Sequence, residues 1–126
     1  MANETKSFIQ EIEESKSNLA GANLMRASLE GANLVRANLK GAKLMGSYLM
    51  GANLMGANLM GANLSNANLR AAYFVDANLM GANLNGANLR GVKLMGADLR
   101  HTMNLSRSQV DSAITDNKTQ LPELIK

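Results

Sequence analysis

Catalysis and metal binding need side chains that can hold a proton, an electron pair or an ion, and this sequence offers few of them. Its single histidine, His101, has no second imidazole for a metal pair or a proton relay, so a capping or surface role suits it better. There is no cysteine, which excludes disulfides, thiolate metal sites and a cysteine nucleophile. No G-x-x-x-x-G-K-[ST] phosphate loop, G-x-S-x-G elbow or H-E-x-x-H helix occurs. The chain therefore reads as a non-enzyme with no catalytic residue, cofactor or metal site.

What the sequence offers instead is a repeat. From Asn18 to His101 it runs in units of five, most plainly in Gly51-Ala-Asn-Leu-Met55 and Gly56-Ala-Asn-Leu-Met60. A large apolar residue stands at every fifth position from Leu19 to Leu99, seventeen in all, sixteen of them Leu and one Phe74. Two residues before each is a small residue, usually Ala, with Ser47 and Val92 as variants. The position between is mostly Asn. A repeat this regular settles the architecture before any other clue.

A period of five defeats both ordinary elements. On an α-helix five residues advance about 500°, so Leu19, Leu24 and Leu29 would point to different sides. On a flat strand the side chains alternate, and an odd step sends successive leucines to opposite faces. All seventeen are buried together only if the chain bends about once per unit, presenting each Leu and Ala to a common axis. Gly at the last position of most units (Gly21, Gly31, Gly41, Gly51, Gly61, Gly81) suits a corner of unusual φ and ψ. Arg26, Arg36, Asn66, Ala71 and Asp76 hold the same slot, so glycine is favoured there but not obligatory.

The A-N/D-L-x-x pattern over residues 18–101 resembles the pentapeptide-repeat family. That resemblance implies an all-β solenoid, a right-handed quadrilateral β-helix with four units per coil. It puts Leu and Phe at the inner centre, Ala at the small inner position, and Asn with the last two residues outside. Seventeen units then make about four coils, a rod roughly 20 Å long at the usual inter-strand spacing. The closing run DSAITDNKTQLPE is similar to the end of many small cyanobacterial members.

The ends of a solenoid are open edges that need cover. Residues 1–17 are read as an N-terminal capping segment, 18–104 as the β-helix and 105–126 as a C-terminal cap of short helix and tail. Ser7 and Gln10 have capping-box spacing, with Phe8, Ile9 and Ile12 as the apolar face of a short helix and its acidic residues on the wet side. Ser106 and Gln109 repeat that spacing, predicting a helix over 107–112. Val110, Ala113, Ile114, Leu121, Leu124 and Ile125 are available to cover the last coil, and Pro122 stops further pairing. Charge is uneven: residues 1–17 sum to −2 and the tail to zero, while eight basic against three acidic residues give the repeat +5. The N-terminus lacks the pattern of a secretory signal, and no run of about twenty apolar residues exists, so a cytoplasmic protein is expected.

With four units per coil, residues twenty apart stack in columns, and any function lies on those outer columns. The column after Leu34, Leu54, Phe74 and Leu94 is Val35, Met55, Val75, Met95, all apolar and expected to face water. Met25 and Met45, Met50, and Met60 and Met80 fall on the other three faces. Methionine is adaptable, and a contiguous exposed apolar patch marks an interface; the competing reading is that these side chains only lie along the coil and shield it. Tyr48 and Tyr73, in place of Asn, are further contact candidates. The Asn columns themselves read as structural. Arg70 and Arg90 stack on the face that carries Tyr48, a weak nucleic-acid signature, while Glu30, Asp76 and Asp98 fall on different coils and faces and cannot act as a pair.

These residues point to a protein-interaction module docking another protein or itself, with monomer and homodimer both open and no membrane partner. The resemblance supplies an alternative, since some family members imitate duplex DNA and regulate type II topoisomerases. That mimicry needs a strongly negative surface, which a +5 repeat does not provide. Nucleic-acid binding is the weaker remaining alternative.

Overall fold

A computed structural model describes residues 5–126. The first four residues of the N-terminal segment, with the Glu4 counted in its charge, lie outside that range. Each unit folds as one tight turn plus one pairing residue. In the unit at Leu34 the Ala37 N–H donates to the Leu34 carbonyl at 2.9 Å, closing the four-residue turn Leu34-Val35-Arg36-Ala37. Its third residue has a left-handed backbone, φ 59° at Arg36, as a type II turn requires. All eleven glycines have positive φ, and so do the substitutes Arg26, Asn66, Ala71 and Asp76, between 57° and 61°. The corner demands this conformation of whatever residue occupies it.

The fifth residue makes the lateral bond. Parallel bridges join residues twenty apart, from Asn23 to Lys43 through to Asn83 and Met103, so the chain returns to itself after four units. Between successive levels the bonds form a ladder: the Leu34 N–H donates to Asn53 O at 2.7 Å, the Asn53 N–H to Ala32 O at 2.9 Å. An all-β rod is expected from the sequence, but among the described residues only isolated bridges occur and no strand. The reason is local: four of every five residues belong to a turn, leaving one in each unit to pair.

The core follows from this geometry. All seventeen inner Leu and Phe side chains are buried, none more than 5% exposed; each contributes roughly 1.5–3 kcal/mol against the ordering of its unit. The small inner position is buried from Ala32 onward and half-buried at Ala22 and Ala27. Of the three outer positions in each unit none is fully buried. Ser47 puts a hydroxyl among the inner alanines, and its Oγ has no hydrogen-bond partner. Around Phe74 and Val92, the two bulkiest departures from the pattern, an apolar gap of about 10 Å³ remains, at the lower limit for holding a water.

Both ends are covered by helix and side chain. Helix α1 (Phe8–Glu14) starts at a capping box between Ser7 and Gln10, and Ile9 and Ile12 pack on the core. Phe8 does not join them; it is 48% exposed. Glu13 also departs from the expectation that the acidic residues stay wet: it is half-buried and its Oε2 accepts the Asn33 N–H at 2.7 Å. That donor faces the end of the rod, where no further level supplies a carbonyl. Lys16–Asn18 form a 3-10 turn, and the Lys16 carbonyl takes the next such donor, from Asn38.

Helix α2 (Arg107–Ser112) starts at the second capping box, Ser106 with Gln109. Gln109 Nε2 also donates to Leu84 O at 2.8 Å and Ala87 O at 3.0 Å, sealing two carbonyls of the last full level. The pairing continues loosely, Lys93 with Ile114 and Asp98 with Gln120, before Pro122 and a 3-10 turn, Glu123–Ile125. Val110 is buried and Leu105, Ala113 and Leu121 pack on the core. Ile114 and Leu124, expected to cover the coil, are 47% and 98% exposed; Ile114 stands at an outward, bridge-forming position, and Leu124 belongs to the final turn beyond Pro122.

Candidate functional site

The outer face is built by the same turn. The residue after each inner Leu is the second of its turn, and its carbonyl accepts from the level above. Arg36 N–H donates to Met55 O, Gly56 N–H to Val75 O and Asp76 N–H to Met95 O, each at 2.9 Å, so Val35, Met55, Val75 and Met95 stand in one column. Equivalent bonds stack Met25 on Met45, Met60 on Met80, and Met50 above Arg70 and Arg90.

Asparagine at the bridge position has a definite task. Its Oδ1 accepts the N–H two residues on, as in Asn53 to Met55 at 3.1 Å and Asn78 to Met80 at 3.0 Å. Ten asparagines do this, and Asp98 does it for Arg100. The side chain satisfies an amide that the tight turn leaves facing outward. Sequence periodicity marks the position as outward; the bond itself is visible only in three dimensions.

Exposure divides the candidate residues. Met25, Met55, Tyr48 and Tyr73 are exposed, between 41% and 49%. Val35, Val75, Met95, Met45, Met50, Met60 and Met80 are half-buried, which corrects the expectation that the whole Val35–Met95 column faces water. Levels about 4.8 Å apart bring stacked side chains into contact, so each covers part of the next. The exposed apolar groups on this face are therefore Met55, Tyr73 and Ile114, with half-buried Val35, Val75 and Met95 beside them.

Tyr73 and Lys93 replace asparagine at consecutive levels of the same face, bridged to one another, and the Lys93 ammonium sits 4.4 Å from the centre of the Tyr73 ring, a cation–π arrangement. Arg70 and Arg90 occupy the adjoining face, both exposed. Asp98 is held below the usual carboxylate range chiefly by its hydrogen bond with the Arg100 guanidinium, against the opposing effect of burial. In Asp116 burial pushes the other way but is outweighed by donors from the Gly96, Lys118 and Thr119 backbone and the Thr119 hydroxyl, so its pKa too is lowered. His101 is an exposed left-handed corner, φ 61°. Among the described residues no three His, Cys, Asp or Glu side chains come together to hold a metal, and no helix is long and apolar enough to cross a membrane.

A turn every five residues, a return every twenty and an inner Leu stack define a solenoid repeat protein. The pattern described as pentapeptide repeats matches residues 15–44, 22–61 and 62–100, in eight copies, and the chain belongs to the pentapeptide-repeat family. Among solved structures it is similar to alr5209, a pentapeptide repeat protein from Nostoc Pcc 7120, with 30% identity and a TM-score of 0.66, covering 91% of this chain and 83% of that one. It is also similar to Rfr23 from the cyanobacterium Cyanothece 51142 (34% identity, TM-score 0.42, 79% of this chain and 63% of that one). HetL, a pentapeptide repeat protein involved in heterocyst differentiation regulation from Nostoc sp. strain PCC 7120, is 31% identical (TM-score 0.36, 84% of this chain and 54% of that one). The chain thus spans less than two thirds of the length of the last two. No curated protein matches it.

Proposed function

We propose that this chain is a non-enzymatic, cytoplasmic docking rod. In this reading residues 18–104 form a right-handed, four-sided coil of about four turns, closed by segments 1–17 and 105–126, and the Phe74 face presents the contact surface to another protein. The observation that carries it is the column Val35, Met55, Val75, Met95. The equivalent columns on the other faces contain Lys40 and Arg100, Ser65 and Asn85, or Glu30, Arg70 and Arg90; this one alone is wholly apolar, with Met55 exposed within it and exposed Tyr73 and Ile114 beside it. Apolar side chains left partly in water on one side of a rigid rod favour contact there, and methionine adapts its shape to a partner.

The test is capture from the native cell with the wild-type chain and with V35S, M55S, V75S and M95S combined. A partner retained by the wild type and lost by a variant that still melts cooperatively supports the reading. Retention of every partner by that variant overturns it. Duplex-DNA mimicry is disfavoured by the cations at Arg70, Arg90 and Lys93; inhibition of type II topoisomerase supercoiling by the purified chain would reverse that order.

A further inference from the structure

On the Phe74 face the asparagine column is interrupted at two consecutive levels, where Tyr73 and Lys93 stand in place of Asn. Above them Val35 and Met55 have their amides satisfied by Asn33 and Asn53, at 3.2 and 3.1 Å. Below, the amides of Val75 and Met95 have no acceptor among the described residues. The oxygens of Asn33 and Asn53, and of eight asparagines on the other faces, show where such an acceptor sits: on the outer surface, 3.0–3.2 Å from the nitrogen. Two outward amides without an internal acceptor therefore lie one level apart, as do those of Glu30 and Met50 after Ser28 and Tyr48, where no cation stands in the asparagine column. Beside them is the Lys93 ammonium over the Tyr73 ring, which forms no ion pair among the described residues.

We propose that this pair of free amides, with Lys93, is a carboxylate-binding site that receives an acidic segment of the docked protein. The proposal rests on the docking reading above and names the partner's chemistry. The molecule contains its own template one unit further along: Asp98 Oδ1 accepts the Arg100 amide at 3.1 Å while its carboxylate pairs with the Arg100 guanidinium at 2.8–3.0 Å. A partner carboxylate at Val75 or Met95 would reproduce that arrangement, with Lys93 supplying the cation. Charge-assisted acceptance from backbone amides is stronger than its neutral counterpart. The apolar column alongside gives the neighbouring side chains of the same segment a surface to cover. A carboxylate fits better than a phosphodiester strand, because a single ammonium accompanies the two amides and a nucleic acid would call for a longer run of cations.

The experiment follows the amide resonances of the full chain during titration with a capped hexaglutamate peptide, with capped hexaglutamine as control. The expected result is a saturable downfield shift of the Val75 and Met95 amides with hexaglutamate alone. Tyr73→Asn with Lys93→Asn restores the internal acceptors and should weaken that binding at least about tenfold, on the scale of one charge-assisted hydrogen bond. Lys43→Asn removes the same charge from another face and should leave it unchanged. Equal shifts with both peptides, equal weakening by Lys43→Asn, or unchanged binding by the Tyr73/Lys93 variant would each overturn the assignment, as would tighter binding of duplex DNA at the same amides. A cellular partner lost by the four-serine variant but kept by the Tyr73/Lys93 variant would leave the docking column standing and overturn the carboxylate site alone.

Discussion

The Oδ1 of Asp76 lies where a Cβ on residue 96 would have to stand, so Gly96 makes room for the side chain one level above it. The same relation holds between Asn66 and Gly86, and more loosely between Arg26 and Gly46 and between Arg36 and Gly56, where the would-be Cβ is 3.4 Å from the arginine Cγ. On these two edges substituted corners alternate with bare ones. Gly51→Ala, with open space around it, should lose only the left-handed backbone preference, about 1 kcal/mol. Gly96→Ala should lose about 1–2 kcal/mol more as the carboxyl is displaced, and Asp76→Gly in the same chain should restore most of that excess. Urea unfolding of the four chains measures it.

Ala71 holds a left-handed corner at φ 61° without a side chain that bonds locally. Relief of that strain exceeds the added freedom of glycine in the unfolded chain. Ala71→Gly should therefore raise stability by about 0.5–1 kcal/mol, read as a higher urea midpoint at unchanged slope.

The buried Ser47 hydroxyl has no partner, whereas the equivalent positions above and below it are Ala27 and Ala67. Ser47→Ala removes a desolvated polar atom and should stabilise by about 1 kcal/mol. Ser47→Val would test the opposite limit, losing stability through overpacking of the small inner position.

Gln109 joins three jobs in one side chain: Oε1 accepts from Ser106 N, and Nε2 donates to Leu84 O and Ala87 O. Gln109→Ala should cost about 2 kcal/mol, more than the roughly 1 kcal/mol of a helix cap alone. Gln109→Glu keeps the acceptor but sets a carboxylate against two carbonyls. It should be no better than Ala, as thermal melting would show.

Asp98 and Asp116 have carboxyls whose folded pKa values lie below the usual range. The sign follows directly: their stabilisation is complete above the unfolded value, about 3.9, and is lost as pH falls through the lower folded values. The urea midpoint should show no pH dependence from them between about pH 5 and 7, where their contribution is full, and should decline below about pH 4. Asp98→Asn and Asp116→Asn should each flatten that decline, with Asp98→Asn also losing the Arg100 pair.

The sequence revealed those features that repeat with the period of five. Leu19 to Leu99 mark the core, the glycines and their substitutes mark the corners, and Ser7 with Gln10 and Ser106 with Gln109 mark the helix starts, because each depends on residues near in the chain. Hidden from it were features made between levels. Glu13 reaches Asn33 across twenty residues, and Asp116 reaches Gly96 across the same distance. The half-burial of Val35, Val75 and Met95 depends on side chains one level away, so residue type alone made them look fully wet. The free amides at Val75 and Met95 emerge only once the asparagine bond is seen, since Tyr73 and Lys93 otherwise read as ordinary surface substitutions.

The interior repeats every five residues, whereas the exterior comes back into line only after the twenty that separate bridged partners. Removing one quintet would therefore leave the inner leucines in register yet rotate everything downstream by a quarter turn, carrying Arg70 and Arg90 to another side of the shaft. Removing four quintets would shorten the shaft and keep every side facing as before. For such an architecture length and surface pattern are separately adjustable, and a small deletion can rewrite recognition without disturbing the fold.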